Sequence, residues 1–279
     1  MYKMKKTIFT IIIFFSCFNY TFSQQEVSVF LGTSIFHGDV GYNSLKIGNT
    51  DKLFLNSQLA WGLSFRNNFN ERFSINLSFK RGVISAYDNQ SEDLFLVNRN
   101  LDFRSKVSEF STNIEFNFSH YIIGSKKFNK ALYVFTGISG FIFNPQGLTE
   151  QNTWVDLQPL GTEGQGSVVY PDRDKYSLFS IGVPIGLGYK ININTNIALN
   201  LSWSWTMTFT DYIDDVSTQY VNPNILSPLA QQMADKSTFG TENGLQRGNS
   251  QNNDKFGFVG ISFVYKIPKK SFCSDISYY

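Results

Sequence analysis

The chain has 279 residues, with 24 Lys and Arg against 22 Asp and Glu, 28 Phe, 14 Tyr and only 2 His and 2 Cys. No segment approaches the roughly 20 consecutive apolar residues that a membrane helix needs, so a helical membrane protein is excluded. The near-neutral charge argues against a nucleic-acid-binding surface.

The N-terminal segment has the pattern of a secretory signal peptide. Three lysines lie within Met1–Lys6, an apolar run extends from Ile8 to Phe18, and the small residues Thr21 and Ser23 precede a cleavage position before Gln24. We therefore predict a signal peptide over 1–23 and a single domain over 24–279. Removal of the signal leaves 21 basic and 22 acidic residues.

Cysteine use offers an alternative at the same place. Cys17 closes the apolar run and could carry a lipid anchor, but Phe14, Phe15 and Ser16 make a poor lipobox. If cleavage falls before Gln24, Cys273 is the only cysteine of the mature chain, and no intramolecular disulfide can form.

Eight segments of the mature chain alternate apolar and polar residues with a period of two, which is the pattern of strands with one greasy face. In chain order the segments are Val27–Ile35, Leu59–Phe65, Phe73–Phe79, Phe110–Phe118, Leu132–Ile142, Phe179–Ile191, Ile197–Phe209 and Val259–Ile267. We predict an all-β transmembrane antiparallel barrel of eight strands, because an open sheet would leave backbone groups unpaired in lipid.

The seventh segment is the clearest. Its apolar row is long enough to cross a hydrocarbon layer about 25 Å thick, whereas a soluble β-sandwich explains such a row only over a few residues. The predicted lipid-facing residues are Ile197, Leu199, Leu201, Trp203, Trp205, Met207 and Phe209.

The lengths of the connections also alternate. The first, third, fifth and seventh are long, at about 40–56, 88–102, 144–175 and 212–254, and the second, fourth and sixth are short, at about 67–71, 120–130 and 192–195. Outer-membrane barrels have long outer loops and short periplasmic turns. The sequence therefore predicts a multi-pass barrel in the cell outer membrane with periplasmic termini, and a short helix around 227–236.

Four charged residues fall on the predicted inward rows: Arg66, Lys80, Glu109 and Glu115. An eight-stranded barrel encloses room only for side chains, so these charges must pair or bind water there. We expect Lys80 and Glu109 to lie close together on adjacent strands.

Candidate chemistry is sparse. His37 with Asp39 could belong to a rim hydrolase, but no nucleophile motif accompanies the pair, and a rim residue in water is the simpler interpretation. Asp211, Asp214 and Asp215 are a weak candidate calcium site, since solvated loop charge explains them more simply. The glycine-rich stretch 161–166 lacks the lysine and helix of a phosphate loop and is typical of tight turns. We predict no catalytic residue and no cofactor.

Several motifs resemble the PorG family of Bacteroidota outer-membrane proteins. The most specific is Thr208-Phe209-Thr210-Asp211-Tyr212-Ile213-Asp214-Asp215-Val216-Ser217-Thr218-Gln219-Tyr220. It is joined by Phe143-Asn144-Pro145, Gly161-Thr162-Glu163-Gly164-Gln165-Gly166, Arg247-Gly248-Asn249 and Asn253-Asp254.

The resemblance implies a non-enzymatic accessory barrel of the type IX protein secretion system, which exports cargo and, in gliding species, adhesins. Its implied partners are outer-membrane lipid and a periplasmic ring made of a lipoprotein and its partner, with no nucleic acid. The alternatives are a small outer-membrane channel or ligand-binding barrel, and, less favoured, a rim hydrolase or acyltransferase.

Overall fold

The computed structural model describes residues 24–41, 56–237 and 239–268. Its strands are β1 (Gln24–His37), β2 (Gln58–Asn68), β3 (Phe73–Tyr87), β4 (Asp102–Asn117), β5 (Lys130–Ile142), β6 (Pro145–Leu148), β7 (Trp154–Asp156), β8 (Phe179–Asn192), β9 (Ile197–Thr208) and β10 (Lys255–Lys266). The helices are α1 (Leu94–Arg99) and α2 (Pro228–Ala234), and short 3-10 turns cover Asp88–Gln90, Gln158–Leu160 and Pro223–Ile225. The predicted signal peptide, Cys17 and Cys273 lie outside the described residues.

The eight long strands of the described chain close into one antiparallel barrel. Each pairs with its neighbours in sequence, β5 pairs with β8, and β1 pairs with β10 to complete the ring. The short strands β6 and β7 extend from β4 beyond the barrel as a small hairpin. This arrangement confirms the predicted fold class.

The outer wall is apolar and exposed to the surroundings. Ile197, Leu201, Trp203, Met207 and Phe209 are exposed, and Leu199 and Trp205 are half-buried, whereas the alternating residues of β9, such as Asn200 and Thr206, are buried. An apolar surface that encircles a closed barrel matches the lipid-facing band of outer-membrane barrels. In the described part of the chain, no helix is long and apolar enough to span a bilayer.

The half of the lumen nearer the short turns holds a buried ion network. The Nη1 group of Arg66 donates to Glu26 at 2.8 Å and its Nη2 group donates to Glu115 at 3.1 Å. Lys190 donates to Glu115 at 2.7 Å and to Asn117 at 3.0 Å. Arg66 and Glu115, both predicted to face inward, therefore do so, and they are paired.

Lys80 and Glu109 are direct cross-strand partners on β3 and β4, as predicted. Their side chains nevertheless use other contacts. The Lys80 ammonium lies 5.0 Å from the ring centre of Phe30 and 5.3 Å from that of Phe258. Glu109 accepts a hydrogen bond from Thr206 at 2.7 Å.

Aromatic side chains fill the other half of the lumen. Phe141 packs against Phe256, with ring centres 5.0 Å apart, and Phe36 packs against Phe103 at 4.7 Å. A cavity of about 30 Å³ remains beside Arg66, enough for only a couple of water molecules. The lumen is thus packed rather than open.

Glycines on β8 explain how large rings fit inside so narrow a barrel. A Cβ atom on Gly186 would lie 2.3 Å from the Phe135 ring, and one on Gly188 would lie 2.5 Å from the Tyr133 ring. The two rings stack with their centres 5.8 Å apart. The weak alternation of β5, which has large residues on both faces, is therefore matched by small residues on its neighbour.

Candidate functional site

The two ends of the barrel carry the polar chemistry of this chain. We call the end with the long connections the outer end and the end with the short turns the inner end. At the outer end, residues 143–178 and 209–254 fold over the mouth as an outer cap. Ile213 and Val216 of this cap are buried and belong to the same core as the lumen aromatics. The cap is therefore continuous with the packed barrel.

Arg247 lies at the centre of the outer cap. It is 1% exposed, and its Nη1 group donates to Glu163 at 2.9 Å and to the Asp215 carbonyl at 2.7 Å. Glu163 also accepts hydrogen bonds from the Ser217 N–H at 2.9 Å and the Thr218 hydroxyl at 2.6 Å. One ion pair thus joins the glycine-rich segment, the segment after β9 and the segment before β10.

The glycines of that segment form turns, as expected. Gly161, Gly164 and Gly166 have φ values of +62°, +80° and +73°, a region that side-chain-bearing residues rarely adopt. The turns place Thr162 and Glu163 inside the cap, where both are fully buried.

A second buried ion pair ties α1 to the cap. Arg99 donates to both carboxylate oxygens of Asp88, at 2.7 and 2.9 Å, and to the Asp39 carbonyl at 2.7 Å. Asp88 also accepts from the backbone N–H groups of Gly41 and Leu101, at 2.8 and 2.9 Å. The polar groups of this pair are thereby satisfied despite their burial.

The interpretation of Asp211, Asp214 and Asp215 as solvated loop charge was wrong. They are 7%, 1% and 0% exposed, because the segment after β9 turns back into the cap instead of extending into water. Asp214 accepts from the backbone N–H groups of Val40 and Val216, at 2.9 and 3.0 Å. Asp215 accepts from the hydroxyl groups of Thr162 and Tyr176, both at 2.5 Å.

Burial raises the pKa values of these carboxyl groups, to about 9 for Asp211, about 8 for Asp214 and about 6 for Asp215. Burial also raises the pKa of Asp254 well above its usual range. Asp254 accepts from the Ile213 N–H at 2.8 Å through one oxygen, while its other oxygen and both oxygens of Asp211 lack a hydrogen bond of normal geometry. Burial therefore favours the protonated forms of these carboxyl groups more than water would.

The calcium hypothesis gains no geometric support. Among residues 24–41, 56–237 and 239–268, no three His, Cys, Asp or Glu side chains are arranged to hold a metal ion. Asp215 is instead engaged by two hydroxyl groups, and its Oδ2 atom lies 3.7 Å from Arg247.

His37 and Asp39 border a polar cavity of about 440 Å³ at the outer rim. His37 is half-buried rather than free in water, and the Asp39 carboxylate accepts the backbone N–H of Asn249. Other lining residues are Glu92, Asn252 and Lys255. The cavity could take a small polar molecule.

The inner end is closed by the connection between β4 and β5, residues 118–129, which we call the inner plug. Tyr121 and Ile123 are buried and pack against Ala131 of β5, Ala198 of β9 and Val264 of β10. Asn192 donates to the carbonyl of Ile122 at 2.9 Å, and Lys266 donates to that of Ile123 at 3.1 Å. The other histidine, His120, pairs here with Glu71.

Sequence reasoning missed the pairing of Arg99 with Asp88 and of Arg247 with Glu163, and the insertion of the inner plug. The apolar triplet Tyr121-Ile122-Ile123, unusual for a surface turn, was the available signal for the plug. For the pairing of Arg247 with Glu163, the available signal was that both residues lie in the motifs that resemble the PorG family.

Comparison with known proteins places the chain in a family. A family model described as "Domain of unknown function (DUF6089)" matches residues 5–161, more than half of the chain. The chain belongs to this family. The DUF6089 match spans the first five barrel strands and ends at the first glycine of the buried cap segment. No curated protein matches.

Solved structures similar to this DUF6089 chain include bacterial outer-membrane proteins. The chain is 11% identical to Ail, the attachment invasion locus protein of Yersinia pestis, over 88% of this chain and 99% of that one, with a TM-score of 0.40. It is 9% identical to Neisserial surface protein A over 87% of this chain and 97% of that one, with a TM-score of 0.40. It is 11% identical to the N-terminal barrel domain of OprF from Pseudomonas aeruginosa over 88% of this chain and 100% of that one, with a TM-score of 0.37. Strand pairing within this chain independently defines the closed barrel.

Proposed function

We propose that this chain is a non-enzymatic accessory barrel of the type IX secretion machinery, which holds a periplasmic ring complex at the outer membrane. The observation that carries the proposal is the filled barrel. Its lumen is packed with aromatic rings and paired ions, and both mouths are covered by ordered segments. A filled and covered barrel is better suited to anchor a protein complex in the membrane than to pass cargo through its lumen.

The resemblance to the PorG family supports the machinery named here. The most specific motif of that resemblance, 208–220, lies at the buried centre of the outer cap, which supports a structural role for this segment. In the proposed orientation the chain ends and short turns face the periplasm, where ring proteins would contact them, and in gliding species the same machinery would serve motility.

Deletion of the gene in the source bacterium tests this role. We expect loss of type IX cargo from the culture medium, restored by the wild-type gene and by a His37→Ala variant, because no catalysis at the rim is required. Normal cargo secretion in the deletion strain would refute the proposal. A His37→Ala gene that fails to restore secretion although its barrel is folded would refute the non-enzymatic role.

A second candidate function, binding of a small polar ligand, is favoured by one observation. The cavity of about 440 Å³ beside His37 and Asp39 opens at the outer rim and is lined mostly by polar and charged side chains. Isothermal titration of the purified barrel with a set of polar sugars and amino acids tests this function. Saturable heat that disappears in an Asn252→Leu variant would support it.

A further inference from the structure

The inner end carries an excess of positive charge. Lys126 and Lys127 of the inner plug and Lys130 at the start of β5 are exposed, and Arg72 and Lys266 are half-buried beside them. Among the described residues of this end, the acid that reaches the surface is Glu71, and it is already paired with His120. The short-turn end is therefore a basic surface.

The inner plug, which carries Lys126 and Lys127, is held in place by hydrogen bonds. Within the inner plug, the Ser125 N–H donates to the Ile122 carbonyl at 3.1 Å, and the Phe128 N–H donates to the Ser125 hydroxyl at 3.0 Å. Asn192 of β8 ties down both ends of this turn through the carbonyls of Ile122 and Ser125, at 2.9 and 3.3 Å. A preorganised surface loses little conformational entropy when a partner binds.

The position of the plug favours a protein partner over lipid headgroups. Ile123 is 1% exposed, and together with Tyr121 it forms one buried cluster with residues of three different strands, so the plug extends across the barrel mouth. Lys126 and Lys127 follow Ile123 by three and four residues. Lipid headgroups surround the rim of a barrel, whereas cations over the mouth face the aqueous compartment.

We propose that the inner plug is a docking surface for an acidic surface of a periplasmic protein, with Lys126 and Lys127 as its principal contacts. The proposal rests on the proposed function for the compartment and for the ring proteins as the partner. Complementary charge raises association rates and selects partners, and salt screens it over about 8–10 Å.

A pair of charge-reversed variants tests the surface. Tagged full-length barrel carrying Lys126→Glu and Lys127→Glu is isolated in mild detergent, and the co-isolated ring proteins are measured by mass spectrometry. The matched control carries Lys106→Glu and Lys175→Glu, two exposed lysines from the strand β4 and the outer cap. Heat-modified gel mobility shows that each barrel is folded.

We expect the amount of ring protein that is co-isolated with the plug variant to fall at least about tenfold. The control and a Lys126→Arg, Lys127→Arg variant should co-isolate the wild-type amount. Equal capture by the plug variant and the control overturns the proposal. The proposal is also overturned if the plug variant loses co-isolated anionic phospholipid but keeps the ring proteins, because the lysines would then bind lipid headgroups.

The two proposals fail in different ways. Normal secretion in the deletion strain refutes the secretion role, whatever the plug variant binds. A secretion defect in the deletion strain, together with full ring capture by the plug variant, refutes only the docking surface.

Discussion

The lumen and the outer cap of this barrel both bury charged side chains, but they balance the charge differently. In the lumen, the acids Glu26, Glu109 and Glu115 are matched by the cations Arg66, Lys80 and Lys190. The cap buries five carboxyl groups, on Glu163, Asp211, Asp214, Asp215 and Asp254, against one guanidinium group, on Arg247. The comparison teaches that acids and bases balance in the barrel interior, whereas the cap buries more acids than bases and raises the pKa values of four of them.

This difference follows from where each region lies. Strands of the barrel are fixed in register, so Glu26 and Arg66, which are direct partners on β1 and β2, are held opposite each other. The cap is built from long connections whose backbone N–H and hydroxyl groups can each stabilise a carboxylate. Four of its carboxyl groups, on Asp211, Asp214, Asp215 and Asp254, nevertheless have raised pKa values because burial outweighs those hydrogen bonds.

The largest expected effect comes from removing a lumen cation. In an Arg66→Met variant, Glu26 and Glu115 lose their guanidinium partner while remaining buried, so we expect the free energy of unfolding to fall by about 3–5 kcal/mol. Urea titration of the barrel folded in lipid vesicles measures this change. The control Arg81→Met alters an exposed arginine of β3 and should change stability by less than about 0.5 kcal/mol. Equal effects of the two variants would contradict the buried network.

Removing a cap cation should have a smaller and more local effect. Arg247→Met leaves Glu163 and Asp215 without their ion pair, so we expect the outer cap to open while the barrel stays closed. Limited proteolysis should cut residues 209–254 at least about tenfold faster, because local opening requires less free energy than global unfolding. Heat-modified gel mobility of the barrel should stay unchanged. Simultaneous loss of cap and barrel would show that the two regions are not separate in stability.

The smallest expected effect is a change in the pH dependence of the stability of the outer cap. Because the pKa of Asp211 is raised from its usual value near 3.8 to about 9 in the folded cap, the folded state binds more protons between these values, and cap stability falls as pH rises through that window. Asp211→Asn removes this titration while keeping the side-chain shape. We expect the ratio of cap cleavage rates at pH 8.5 and pH 6 to be smaller in the variant than in the wild type.

Calcium provides the control for this result. If millimolar Ca²⁺ protected the wild-type cap at pH 8.5 and not the Asp211→Asn cap, a bound cation rather than a proton would offset the buried charge. An unchanged cleavage ratio in Asp211→Asn would instead show that this carboxyl group does not control the pH dependence.

Much of the barrel could be predicted from sequence because lipid and lumen impose opposite demands on alternate residues. Ile197 to Phe209 show this demand over a whole strand, and the alternating connection lengths give the connectivity. The predicted helix at 227–236 corresponds to α2 with its Ser227 cap, whose hydroxyl accepts from the Ala230 N–H at 3.3 Å.

The outer cap could not be predicted in this way. Acids in a long polar loop have the same sequence pattern whether they are solvated or buried. The buried Asp215 lies beside Arg247, and Arg247 in turn pairs with Glu163, which is 84 residues away in the chain. No local period in the sequence encodes a contact over such a separation.

Single-channel recording in planar bilayers tests the central claim, a filled and capped barrel, most directly. The purified full-length chain, inserted at neutral pH, should give no stepwise conductance, while an open porin in the same bilayer serves as the positive control. Discrete, reproducible openings from the wild-type chain would contradict a packed lumen and favour a channel.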